Sequence, residues 1–170
     1  MKHPFKVLAV LILSVSIICS CSNEQKETPP DFKLMIEKYV GYWNTGQFDG
    51  IGELLCDSFE LRMTPLFEPE TGIETFKNHV TNWRTAYPDF LITIEEILIS
   101  ENAVAGRWTI TASNTGAGSH PPTGKRVEVP GMSIFHFENG KIKDEWIASN
   151  NYYWLRQLGF RLVPPSFEEE

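Results

Sequence analysis

Residues 103–159 read AVAGRWTITASNTGAGSHPPTGKRVEVPGMSIFHFENGKIKDEWIASNNYYWLRQLG, and the fold turns on how this stretch divides. Two runs rich in β-branched and aromatic residues, Ala103 to Ser113 and Arg126 to Phe137, flank a segment of Gly, Pro, Ser and Thr. A third run, Lys141 to Ser149, follows Asn139-Gly140. Asn-Gly between two apolar runs predicts a tight hairpin, because both residues accept the positive φ that a two-residue turn demands. The stretch predicts an antiparallel meander.

Upstream, Asp31 is placed to cap a helix whose apolar stripe is Phe32, Met35, Ile36, Tyr39, Val40 and Trp43, ending near Gly46. Asp49 to Cys56 reads as a short second helix and Ser58 to Thr64 as a strand. After a loop with Pro65, Pro69 and Gly72, the positions Ile73, Phe76, Val80, Trp83 and Ala86 define a third helix that stops before Pro88. In Phe90 to Ile99, Ile92, Ile94 and Leu98 oppose Leu91, Thr93, Ile97 and Ile99, so both faces are apolar. Met132, Ile134 and His136 against Ser133, Phe135 and Phe137 repeat that pattern. A sheet wet on one side alternates cleanly, so one face is expected to pack the helices and the other to meet a second layer. A second subunit is the economical cover, which predicts a homodimer. The expected fold is α+β: a cone-shaped single domain, with a long curved antiparallel sheet packed on three N-terminal helices.

At 170 residues the chain allows one domain with appendages. Lys2 and Lys6 precede the 12-residue apolar run Val7 to Ile18, too short for the ~20 residues of a spanning helix, so residues 1–20 read as a secretory signal. Ile18-Cys19-Ser20-Cys21 resembles a bacterial lipobox and makes Cys21 the expected lipidation site, anchoring the chain to a membrane of the cell envelope, facing the periplasm or exterior. Residues 21–30, polar with two prolines, read as a tether, and 31–165 as the domain. Removing the signal takes away two lysines and no acid, moving the formal charge from −7 to −9. So acidic a chain is a poor nucleic-acid binder. Only Cys56 then remains as a free thiol, read as a small buried apolar residue at a helix end.

The string PPTGKRVEVPGMSIFHFENGKIKDEW, with Arg107-Trp108 before it and Leu155-Arg156-Gln157-Leu158-Gly159 after it, resembles the C-terminal half of SnoaL-like polyketide and ester cyclases, in the nuclear transport factor 2-like superfamily. The resemblance extends more weakly back to about Asp31. It implies a cystatin-like cone with a pocket between helices and sheet, a cofactor-independent aldol-type reaction, and an acid/base aspartate four residues after the last strand's tryptophan. Here that position is Asn150. An amide takes up no proton, so Asn150 can orient a carbonyl or stabilise an enolate but cannot be the base.

Expected pocket walls are Tyr39, Trp43, Trp83, Trp108, Phe135 and Trp146, each of which is also an ordinary core residue. By the resemblance, His136 lies close to Asn150 and Arg107 anchors a carboxylate or enolate; the plain alternatives are a structural histidine and a salt bridge from Arg107 to a neighbour such as Glu95 or Glu145. Asp144 shares the parity of Trp146 and Asn150 in a regular strand and is a distant substitute base, with Asp57 and Glu95 weaker. The loop holding His120 could cover the pocket mouth. No metal-ligand spacing, nucleotide-binding glycine turn or nucleophile elbow is present, so neither metal nor cofactor is expected. Three readings follow: an exported binder of a small, largely apolar, carbonyl-bearing or polyketide-like molecule; an active cyclase or isomerase using His136, Arg107 and Asn150; and a structural protein with a filled pocket.

Overall fold

The computed structural model describes residues 31–64 and 68–164. The expected signal and tether, residues 1–30 with Cys21, lie outside the described residues. Helix α1 spans Phe32–Thr45, with the Asp31 side chain accepting from the Leu34 N–H at 3.1 Å and Gly46 closing it in the left-handed conformation. The short α2 (Ile51–Leu54) runs directly into strand β1 (Leu55–Met63), so the second helix is shorter and the strand longer than the sequence predicts. A two-residue strand β2 (Glu70–Thr71) precedes α3 (Ile73–Ala86). The meander follows as β3 (Leu91–Ile99), β4 (Ala103–Ser113), β5 (Arg126–Glu138) and β6 (Lys141–Ser149). A fourth helix, α4 (Asn151–Leu158), was not anticipated.

The six strands form one sheet in the order β2-β1-β6-β5-β4-β3. The meander is antiparallel as expected, with Asn139 and Gly140 both at positive φ in the β5–β6 turn. The sheet as a whole is mixed, because β1 pairs parallel with β6. That pairing follows from α3 and four strands intervening between them, which permits the crossover a parallel pair needs.

One sheet face carries the core. Tyr39, Phe59, Phe76 and Phe135 interlock there, with ring centroids 5.2–6.0 Å apart, joining α1, α3, β1 and β5. The outer face leaves Met132 54 %, Ile134 45 % and Trp146 54 % exposed, the apolar outward positions that the two-faced pattern anticipated.

Two irregularities decide which side chains face the core. Between β3 and β4 the register moves from Ile94↔Trp108 to Glu96↔Arg107, leaving Glu95 unpaired. Ile97 consequently joins Ile92 and Ile94 on the inner wall, and Leu98 turns out to solvent. Between β5 and β6 the register skips Lys143, from His136↔Asp144 to Phe137↔Ile142. Such a bulge reverses the alternation beyond it. Ile142 and Glu145 both point inward, and Asp144 and Trp146 do not.

Candidate functional site

Between α1, α3, α4 and the inner sheet face lies a cavity of about 240 Å³. Tyr39, Trp43, Trp83, Trp108 and Phe135 line it as the sequence predicts. Gly106, opposite Ser133 in the ladder, carries no side chain and opens the cavity down to the sheet. Gly131 is needed for a different reason. A Cβ there would lie 2.1 Å from the Trp108 ring, so the indole can cross β5 only over a glycine.

That crossing delivers the Trp108 indole N–H to Ser133 Oγ at 2.9 Å. An indole N–H only donates, so it occupies one serine lone pair and the hydroxyl proton is directed onward. Ser133 donates to Glu145 Oε1 at 2.6 Å, and Tyr39 donates its hydroxyl proton to Glu145 Oε2 at 2.5 Å. Glu145 is 4 % exposed, and burial pushes its carboxyl up to about 7 against the two hydrogen bonds that favour ionisation. Burial and the neighbouring carboxylate hold Tyr39 as a phenol far above its ordinary range. The result is a hydrogen-bonded carboxyl on the wall of an apolar cavity, titrating near neutrality.

The remaining polar lining sits four residues further along β6, about 13 Å away at 3.3 Å per residue. There Ser149 donates to Asn151 Oδ1 at 3.0 Å, and the Asn151 amide donates to the Thr64 carbonyl at 2.7 Å.

The other expected site residues are elsewhere. His136 lies on the outer face, where Nδ1 meets Asp144 Oδ1 at 2.6 Å, because its parity on β5 is that of Met132 and Ile134. Arg107 also faces outward and pairs with Glu95 and Glu96, the salt bridge that was the plain alternative to substrate anchoring. Asn150 caps α4, its side-chain oxygen accepting the Tyr153 N–H at 2.9 Å, so that oxygen is committed to the helix. Trp146 is moved out by the bulge. The three residues expected to act together are therefore not brought together, and the cavity wall includes none of them. Cys56, free and half-buried, lies in β1 rather than at a helix end.

His120 is half-buried against Phe160 and lines a second cleft of about 610 Å³. Its loop is held down by the fully buried Asn114, which accepts from the Thr123 N–H at 2.8 Å, and by the Gly116 N–H donating to Ala86 at 3.1 Å. Trp83, Asn151 and Trp154 line both spaces and form the partition between them. Among the described residues no cluster of His, Cys, Asp or Glu could hold a metal ion, and no helix is long and apolar enough to cross a membrane.

Comparison with known proteins agrees with this architecture. The sequence pattern of the SnoaL-like polyketide cyclases matches residues 33–158. The chain belongs to this family. Among curated proteins none matches the sequence. Among solved structures, TsrD from Streptomyces laurentii superposes with a TM-score of 0.67 at 22% identity, covering 75% of this chain and 94% of that one. A SnoaL-like polyketide cyclase from Agrobacterium tumefaciens gives a TM-score of 0.62 at 21% identity, covering 74% and 95%. Bal32a, from a soil-derived mobile gene cassette, gives 0.61 at 18%, covering 74% and 95%. These likenesses carry the α+β, nuclear transport factor 2-like fold of a single SnoaL-like domain.

Proposed function

We propose that this SnoaL-like domain binds a small, largely apolar molecule in the cavity and presents one of its polar groups to Glu145. The observation that carries this reading is the cavity itself: about 240 Å³, walled by aromatic and aliphatic side chains, with a buried hydrogen-bonded carboxyl. A dry cavity of ~150 Å³ admits benzene, so this one has room for one or two rings. Open space of this size also speaks against a core filled by side chains. Native mass spectrometry of the purified chain, with 2-tetralone added where nothing co-purifies, is expected to show a 1:1 complex. Ile94→Trp, which fills the cavity, should lose it; an equally strong complex in the folded variant overturns the reading.

A second reading, cyclase or isomerase chemistry, is favoured by a carboxyl on the cavity wall that burial pushes up to about 7. In it Glu145 takes a proton α to a ligand carbonyl, the electron pair moves to the carbonyl oxygen, and the proton is returned to carbon or to the aldol oxygen. This reading assigns to Glu145 the base that Asn150 cannot be. Export, anchoring through Cys21 and pairing of two copies over Met132, Ile134 and Trp146 belong to the same proposal. The apolar, outward-facing strands support the pairing, and the sequence of residues 1–30 supports the anchor.

A further inference from the structure

The charge balance of the cavity bears on what it takes. Among the described residues lining it, Glu145 is the sole carboxyl, and no Lys, Arg or His is present. Glu145 belongs to none of the ion pairs of the described residues. The side chains bonded to it or paired with it in the sheet are neutral: Tyr39 from α1, Ser133 and Phe135 from β5 and Leu61 from β1, with Trp108 from β4 behind Ser133. A carboxylate stripped of water without a positive partner is costly, and that cost is what holds the group protonated up to near-neutral pH.

The rest of the wall mixes aliphatic and aromatic side chains, and of the rings Tyr39, Trp108 and Phe135 are the ones beside Glu145. Aromatic faces carry negative potential and attract a desolvated cation. Tyr39 and Ser133 each donate to one carboxylate oxygen, and an ionised carboxylate has about four acceptor positions, so acceptor capacity remains. An apolar cation would find a counter-charge and a favourable wall together. An anion would find neither.

We propose that this cavity selects an apolar ammonium compound, its cationic nitrogen held against the Glu145 carboxylate and the neighbouring Trp108 and Phe135 rings. The proposal rests on the cavity being the ligand site and adds the charge of the ligand. The carboxyl must ionise to serve as counter-ion, so binding is coupled to its titration. Benzyltrimethylammonium keeps its charge at every pH, which makes any pH dependence the protein's own. With a carboxyl titrating at about 7, the competent fraction rises from about 3 % at pH 5.5 to nearly all at pH 8.5, and affinity should rise about 30-fold.

Titration calorimetry on the full chain at those two pH values tests this, with neopentylbenzene as the uncharged carbon isostere and 2-tetralone as a neutral ketone. Expected are the 30-fold rise for the ammonium, no comparable rise for the two neutral probes, and loss of the pH dependence in Glu145→Gln. An ammonium that binds equally at both pH values, or more weakly at pH 8.5 than neopentylbenzene or 2-tetralone, overturns the selection for charge and leaves the cavity standing as the ligand site. If none of the three probes binds the folded chain, both readings fall. The wild-type comparison decides the matter even where Glu145→Gln does not fold.

Discussion

Asp144 and Glu145 are neighbours in sequence and lie on opposite faces of one sheet. Asp144 points outward to His136, with side-chain exposures of 20% and 48%. Glu145 points inward to Tyr39 and Ser133 and is 4 % exposed. Both carboxylates accept a hydrogen bond of 2.5–2.6 Å, so the length of the bond does not distinguish them. What differs is the surrounding medium. Near water a polar contact gains little beyond what hydration already gave its partners. In the cavity, hydration is lost and the neutral donors replace only part of it, so the carboxyl becomes titratable near 7. A single skipped residue, Lys143, determines which acid receives which treatment.

The largest expected effect sharpens this contrast through pH. Glu145 has a folded-state value of about 7 against 4.5 for the free group, so between those values the folded chain binds the extra proton. Its contribution is fully present below pH 4.5 and is lost as pH rises through 7, by about 3 kcal/mol in all. Glu145→Gln has nothing to titrate. Urea unfolding at pH 4.5 and 8 should therefore show wild type losing about 3 kcal/mol more than the variant over that interval. A difference below about 1 kcal/mol would mean that the carboxyl stays hydrated.

How legible this was follows from the same residues. In Asp144-Glu145-Trp146 any alternation sends an acid inward, so the sequence already contains a buried carboxylate on the last strand. Regular alternation from Ile142 selects Asp144 and Trp146, and the bulge at Lys143 selects Glu145 instead. Nothing in the composition of KIKDEW marks the bulge, because it arises from pairing with β5 and β1. The aromatic walls were legible because α1 and α3 keep their helical period and β4 alternates without a break up to Trp108. His136 was assigned by resemblance, although its own alternation with Met132 and Ile134 points outward. Asn150 was legible as a departure from the family and illegible as a cap, since α4 was not anticipated.

A smaller effect is expected at Gly131. Alanine there would place a methyl 2.1 Å from the Trp108 ring, and the indole would have to leave Ser133 to make room. Overpacking of this kind costs about 1–3 kcal/mol. The Ser133 hydroxyl, no longer polarised by the indole N–H it accepts, becomes a weaker donor to Glu145, which weakens a hydrogen bond favouring ionisation and moves the carboxyl further upward. Gly131→Ala should thus lower the unfolding free energy and shift the pH step of the stability curve to higher pH. A destabilised variant with an unmoved step would show that Trp108 does not act on Glu145 through Ser133.

The smallest effect is expected on the outer face, and it is the one that could break the contrast. His136→Gln removes the partner of Asp144 while leaving a side chain of similar reach. A near-surface contact of this kind, an ion pair only when the imidazole is protonated, is worth at most about 1 kcal/mol, so urea unfolding should register a loss no larger than that. Because β5 separates His136 from the cavity, affinity for the probe that the cavity takes should stay within about twofold, within the scatter expected of a substitution that touches no lining residue. Glu145→Gln is expected to abolish the about 30-fold rise in that affinity between pH 5.5 and 8.5 if the ligand is cationic. Should His136→Gln lower cavity binding as strongly, the two faces are coupled. The acid on the outside would then have to be read together with the acid on the inside, as one relay across the sheet.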